Sequence, residues 1–169
     1  MTTQPGLHLP VTGAFALPFA AYYIILTARV VVQRSKQRVA IGDHMPPSPP
    51  STSTSTSASS PVSSTNITTP SGIHTSADPL LLSTRCQQNF AEFVPLALLL
   101  ATIAEANNAV TPRALKTALG ILLAARVLHV EAGILRPGAM GLGRPMGFYS
   151  TLGVIGWLGW AVGRGFWGL

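Results

Sequence analysis

Near the start of the sequence lies a run of twenty residues without a formal charge, LPVTGAFALPFAAYYIILTA (Leu9–Ala28). As a helix, a run of this length crosses the roughly 30 Å hydrocarbon core of a bilayer. Arg29 and Arg34 follow it in a basic segment, which is typical of a helix end at a membrane surface. No Lys or Arg precedes Leu17, so the basic start of a secretory signal is missing. We therefore predict a retained membrane helix.

The composition favours the same class of protein. Only 9% of the 169 residues are charged and 47% are hydrophobic, with a mean hydropathy of +0.40, whereas about a quarter of a soluble domain is charged. The net charge is +6, but no basic run is interleaved with aromatic residues, so nucleic acid is not the expected partner. The cations lie beside apolar segments, which indicates membrane lipid or an anionic small ligand. The single cysteine, Cys86, excludes an internal disulfide framework.

Three further apolar blocks predict three more helices. Pro112 precedes the second of these blocks and suits a helix start. The fourth helix carries small residues that would permit close helix contact. The blocks are Phe93–Ala104 with an extension back to Leu80, Arg113–Leu135 and Met146–Gly163, and the small residues are Gly153, Gly156 and Gly159. The predicted fold class is an all-α membrane protein, a bundle of four transmembrane helices.

The chain divides into three predicted segments: 1–44 with the first transmembrane helix and its basic stop, 45–79, and 80–169 with helices two to four. Segment 45–79 is rich in Ser, Thr and Pro and has too little apolar surface to order itself, so we predict a disordered loop. It contains a glycosylation sequon at Asn66. With four spans, seven Lys or Arg residues share the face of this loop and three lie on the opposite face. That excess predicts a cytoplasmic loop, an unused sequon and both termini outside.

A polar stripe interrupts the second helix at its cytoplasmic end. Arg85, Asn89 and Glu92 follow at i, i+4 and i+7, which places them on one helix face. Such a stripe suits a polar binding site. Two simpler interpretations stay open: Arg85 extends to lipid headgroups, or Asn89 and Glu92 form hydrogen bonds that fix helix packing. We expect Glu105, at the far end of this helix, to reach water.

The third and fourth helices carry polar residues at the same depth. Arg126 and His129 share a face of helix three, and Arg144 begins helix four with Tyr149 about a turn and a half further on. Charges inside a membrane usually face a bundle interior or a wet cavity. Together with the stripe, these residues suit a zwitterionic or polyanionic small molecule. A structural ion pair between Glu92 and Arg126 is an alternative. No metal is predicted, because one histidine gives no ligand set.

These motifs resemble the MAPEG family, the membrane-associated proteins in eicosanoid and glutathione metabolism. The resemblance rests on R-x-x-x-N-x-x-E followed by V-P-L, on A-R-V-L-H, and on R-P-G with a further arginine. It covers the first helix with its basic stop QRSKQRVAIGD and nearly everything from Leu80 to the end of the sequence. Segment 45–79 replaces a usually short loop. The chain is more similar to an uncharacterised, bacterial-like branch than to the eicosanoid synthases.

The resemblance implies a homotrimer of four-helix subunits, with glutathione as co-substrate bound between adjacent subunits near the cytoplasmic face. It implies that Arg144 is the catalytic arginine that stabilises the glutathione thiolate. The implied glutathione-binding residues are Arg34, Arg85, Asn89, Glu92, Arg126, His129 and Tyr149. Three positions depart from the characterised members: Gly133 and Phe148 replace tyrosines, and Gln88 replaces an arginine.

The implied function is that of a glutathione-dependent transferase or peroxidase acting on lipophilic small-molecule electrophiles. In a eukaryotic cell we expect a multi-pass protein of an endomembrane such as the endoplasmic reticulum. The alternative is a non-catalytic membrane scaffold that retains the fold. A transporter is less favoured, because the sequence shows neither a pair of discontinuous helices nor an inverted repeat.

Overall fold

The computed structural model describes residues 9–39, 78–136 and 141–167, with side chains up to residue 164. Within these ranges the chain forms helices and no strand, which confirms the prediction of an all-α protein. The helices are α1 (Pro10–Gln37), α2 (Pro79–Ala106), α3 (Pro112–His129) and α4 (Gly143–Trp167). A turn of π-helix, Val130–Ile134, continues α3. The Asn66 sequon and nearly all of the predicted disordered loop lie outside the described residues.

Three of the described helices are long and apolar enough to cross a membrane: α1, α2, and α3 together with its π-helical turn. The described part of α4 is not among these candidate spans, although its 25 residues would extend about 37 Å at 1.5 Å per residue. The fourth transmembrane span therefore stays a prediction.

Proline begins the first three helices, and each of these helices is capped differently. Asp78 caps α2 by accepting a hydrogen bond from the Leu80 amide (2.9 Å), and Thr111 caps α3 by accepting one from Ala114. The first helix has no such local cap. Its amides at Val11 and Thr12 instead donate to the two carboxylate oxygens of Glu105, at 2.7 and 2.8 Å.

From the sequence we expected Glu105 to reach water. The structure instead gives its carboxylate two backbone amides as partners. Glu105 lies half-buried at the end of α2, and its negative charge meets the positive end of the α1 dipole. The carboxylate satisfies amides that have no partner within their own helix. It therefore ties the start of α1 to the end of α2.

We expect Glu105→Gln to lower stability by about 1–2 kcal/mol, because the amide keeps one acceptor but loses the charge. Thermal unfolding in detergent measures the change. Lys116→Gln is the control, because Lys116 is an exposed charge near the start of α3. Equal melting temperatures for the two variants would contradict the assigned capping role.

The core of the bundle contains large apolar side chains from all four helices, and Phe90 of α2 meets three rings of α1 within it. The ring centroids lie 6.3 Å from Phe19, 5.7 Å from Tyr22 and 5.9 Å from Tyr23. Both tyrosines thus pack against α2. Fully buried leucines complete this core: Leu26, Leu115, Leu119, Leu122 and Leu158.

Close packing of α4 against α3 uses different glycines from those we predicted. A Cβ atom placed on Gly153, Gly156 or Gly159 would meet nothing within 4 Å in the described part of one chain. A Cβ on Gly147 would lie 2.6 Å from Cβ and 3.0 Å from Cα of His129, and one on Gly143 would lie 2.8 Å from Ala132. The glycines that permit the close approach are therefore at the start of α4. This start is the part of α4 that carries Arg144.

Candidate functional site

A pocket of about 460 Å³ opens where the start of α4 meets α3 and the first half of α2. Four of the predicted site residues line it: Asn89, His129, Arg144 and Tyr149. Pro145 and Phe148 complete the lining. The predicted convergence of polar groups from three helices is thus present at this pocket.

The polar stripe of α2 reaches the pocket only through its middle residue. Asn89 is half-buried, and its side-chain amide donates to the Arg85 carbonyl (3.0 Å). Arg85 and Glu92 are exposed and do not line the pocket. They lie on the outer surface of α2, where a molecule outside this chain could contact them.

The suggested ion pair between Glu92 and Arg126 is wrong. An ion pair of α1 instead joins Arg29 to Glu131 of the π-helical turn, at 2.7 Å. Tyr22 also donates to the Glu131 carboxylate, at 3.3 Å. Arg29 therefore connects α1 to the end of α3, although its place after the first apolar run suggested a cation at the membrane surface.

Arg126 is almost completely buried, with 1% of its surface exposed. Its Nη2 donates to the Gly147 carbonyl of α4 (2.9 Å), and its guanidinium carbon lies 5.4 Å from the centre of the Phe93 ring. Its Nε and Nη1 atoms have no hydrogen-bond partner in the described part of the chain. Arg126 is not part of the pocket lining. Its hydrogen bond to the Gly147 carbonyl joins α3 to α4.

His129, one turn after Arg126, contacts the same part of α4. Its Nδ1 lies 2.8 Å from the Arg144 carbonyl oxygen, and 4% of the residue is exposed. Arg126 and His129 therefore hold two carbonyls in the first turns of α4, those of Gly147 and Arg144. The π-helical turn follows His129 directly, and such turns occur frequently at functional sites.

The glycine that replaces a family tyrosine has a packing role. A Cβ on Gly133 would lie 2.6 Å from the Arg144 nitrogen and 2.9 Å from its Cα. The start of α4 thus occupies the space that a side chain at position 133 would need. This close approach fixes where Arg144 lies relative to α3.

An aromatic wall borders the polar part of the pocket. The Phe148 ring stands edge-on to Phe93 of α2, with centroids 5.9 Å apart, and to Tyr149, at 5.6 Å. Tyr149 is exposed by 70%. Our sequence interpretation treated Phe148 as a departure only and did not assign Phe93. The spacing of Phe148, four residues after Arg144, was the signal that could have placed it beside the site.

Arg34 does not join this pocket in a single chain. It lies beside Arg38 in a shallow cavity of about 360 Å³ at the end of α1, which Val31 and Val39 also line. Its Nε is buried without a hydrogen-bond partner among the described residues. In the same ranges, no three His, Cys, Asp or Glu side chains lie close enough together to hold a metal ion.

Comparison with protein families gives one extensive match. A family model described as the MAPEG family matches residues 12–164, nearly the whole chain. All eight predicted site residues fall inside the matched range. Comparisons with curated proteins and with solved structures gave no match.

Proposed function

The chain belongs to the MAPEG family of membrane proteins, and we propose that it is a glutathione-dependent transferase or peroxidase acting on lipophilic electrophiles. The family includes glutathione-dependent transferases as well as non-catalytic members. The observation that carries the proposal is the pocket at the start of α4, where Arg144, His129 and Asn89 meet an aromatic wall.

Arg144 is the proposed catalytic residue. It lies in the first turn of α4, where the positive end of the helix dipole adds to the guanidinium charge. A thiol beside such a charge loses its proton more readily, and the thiolate is the nucleophile. The side chain is exposed, so it can reach the sulfur of a glutathione molecule in the pocket.

The remaining glutathione contacts are proposed to be shared between adjacent subunits of a homotrimer. Arg85 and Glu92 lie on the outer face of α2, and Arg34 lies in a separate cavity. A second subunit packed on this face of α2 would bring Arg85 and Glu92 of one chain close to Arg34 of the other. Glu92 would then hold the ammonium group, the arginines would hold carboxylates, and Asn89 would meet a peptide amide.

An apolar groove separate from the pocket supports the proposal that the co-substrate is lipophilic. It has a volume of about 480 Å³ and lies between the outer faces of α3 and α4. Its lining is mostly apolar, including Ile121, Val154 and Trp157, and it also includes Ser150, the neighbour of Tyr149. An apolar electrophile could enter from the bilayer along this groove and approach the pocket. We also propose that α4 is the fourth transmembrane span and that, in a eukaryotic cell, the protein lies in an endomembrane such as the endoplasmic reticulum.

Glutathione binding to the detergent-purified protein tests the proposal. We expect calorimetry to show binding at millimolar glutathione and the conjugation of a dinitrophenyl halide to be catalysed. Arg144→Ala should lower the conjugation rate by about 10²-fold, which is typical of losing one group that stabilises developing charge. Glu92→Gln should weaken binding by about tenfold, the loss of one charged contact.

Arg113→Ala is the matched control, because Arg113 is an exposed arginine at the start of α3, at the other end of the bundle. This variant should leave glutathione binding and the conjugation rate unchanged. Wild-type protein that melts cooperatively but binds no glutathione would overturn the enzyme proposal. If, in addition, Arg144→Ala does not change the binding of any ligand tested, the result would favour the non-catalytic scaffold.

A further inference from the structure

The hydrogen bond between His129 and Arg144 determines which ring nitrogen of His129 carries hydrogen. A backbone carbonyl can only accept, so Nδ1, 2.8 Å from the Arg144 oxygen, must be the donor. In a neutral imidazole the other nitrogen, Nε2, is then an acceptor. The backbone of α4 therefore holds this ring in a single tautomer.

The acceptor nitrogen has no competing partner among the described residues. No hydrogen bond from a described residue reaches Nε2, and Nε2 is not among the fully buried polar atoms without a partner. Nε2 is therefore not completely buried, although only 4% of His129 as a whole is exposed. The open space beside the ring is the pocket, which His129 lines together with Arg144 and Asn89.

The pocket offers no carboxylate that could take a proton instead. Its described lining consists of an amide, a guanidinium, a phenol, the imidazole, a proline and a phenylalanine. An arginine stays protonated, an amide is not a base, and a phenol at neutral pH is a donor. The imidazole is therefore the group in this lining whose free nitrogen lone pair can serve as a base.

We propose that Nε2 of His129 is the general base that takes the thiol proton of glutathione. This inference rests on the proposed function and adds a second catalytic residue to Arg144. The S–H bond breaks, its electron pair stays on sulfur, and the proton forms the Nε2–H bond. The thiolate then lies between two positive groups, the imidazolium and Arg144, which together stabilise it.

The proton returns in the second half of the step. The thiolate sulfur forms a C–S bond with the electrophilic carbon, and the electron pair of the breaking bond moves to the leaving group. Nε2–H then protonates that leaving group, or the anion of an addition product, and the imidazole is neutral again. The Arg144 carbonyl, which accepts from Nδ1, keeps the ring in place throughout.

His129→Asn separates the two roles of the ring. An asparagine amide can still donate to the Arg144 carbonyl from the position of Nδ1, but it presents no base to the pocket. We expect this variant to bind glutathione within about threefold of wild type and to conjugate it about 10²–10⁴-fold more slowly. The ultraviolet absorbance of bound thiolate should be lost at neutral pH and return as the pH is raised.

His129→Gln is the matched comparison, because its longer side chain cannot keep the bond to the Arg144 carbonyl from the position of Nδ1. Conjugation by His129→Asn at the wild-type rate would overturn the inference, provided that wild type binds and conjugates glutathione. Absence of glutathione binding by wild type would overturn the proposed function itself.

A measurement on the His129 ring itself does not depend on how the His129 variants fold. Nitrogen NMR distinguishes Nδ1–H from Nε2–H imidazole in a chain whose other three histidines, His8, His44 and His74, are replaced by asparagine. We expect the Nδ1–H tautomer without ligand. Addition of glutathione should then produce the doubly protonated ring. A neutral Nε2–H tautomer would contradict the proposal.

Discussion

Gly147→Val is expected to lower the stability of the bundle by about 3 kcal/mol or more. The first side-chain carbon would lie 2.6 Å from Cβ of His129 and 3.0 Å from its Cα, and it would also press on the Ala125 carbonyl. Because most of these atoms belong to the backbone of α3, rotation of a side chain cannot relieve the overlap. The helices must separate, which strains the bond from Arg126 to the Gly147 carbonyl.

Thermal unfolding in detergent measures this loss against a matched variant of the same helix. Gly153→Val makes the same chemical change about two turns further along α4, where a Cβ would meet nothing within 4 Å. It should change the stability only by the difference in helix propensity between glycine and valine, within about 0.5 kcal/mol. Similar melting temperatures for the two variants would show that α4 does not pack on α3 through Gly147.

The helices themselves were predictable because each contains a long apolar run, and the first three begin with a proline. The i, i+3 spacing also placed Arg126 and His129 on one face of α3. Which glycines of α4 permit close contact was not predictable in the same way. Gly147 and Gly153 are both small residues in an apolar helix, and what separates them is the presence of α3 beside one of them.

The sequence analysis missed hydrogen-bond and ion-pair partners that lie far apart in the sequence, for a related reason. Glu105 and the start of α1 are separated by more than ninety residues in the sequence, as are Arg29 and Glu131. Hydrophobic periodicity predicts which residues face the bundle, but it does not tell which helix end meets which. A carboxylate near a helix end is equally consistent with water or with the amides of another helix.

The roles of the polar residues on α3 also depend on the fold. Their types suggested ligand contacts, but Arg126 and His129 each hold a backbone carbonyl at the start of α4. These two bonds and the close approach at Gly133 act on the same short segment. The position of Arg144 is therefore set by α3, and one ring nitrogen of His129 is already bonded to the backbone of α4.

Gly133→Tyr, which introduces the residue type that the family resemblance implies at this position, is expected to damage this protein. Its Cβ would lie 2.6 Å from the Arg144 nitrogen, 2.9 Å from Cα and 3.0 Å from Cβ. The start of α4 would have to move away from the π-helical turn, and Arg144 would move with it. We expect a loss of about 3 kcal/mol or more in stability and loss of glutathione binding, measured by thermal unfolding and calorimetry.

Phe148→Tyr restores the second family tyrosine and serves as the comparison. Phe148 is half-buried and lines the pocket, so an added hydroxyl can face open space, and the melting temperature should change little. If Gly133→Tyr instead melted like wild type and conjugated glutathione faster, α4 would not be locked against α3 at this point. The contrast between the two tyrosines thus tests whether this chain has lost a catalytic side chain at position 133 or has used its absence to bring Arg144 close to α3.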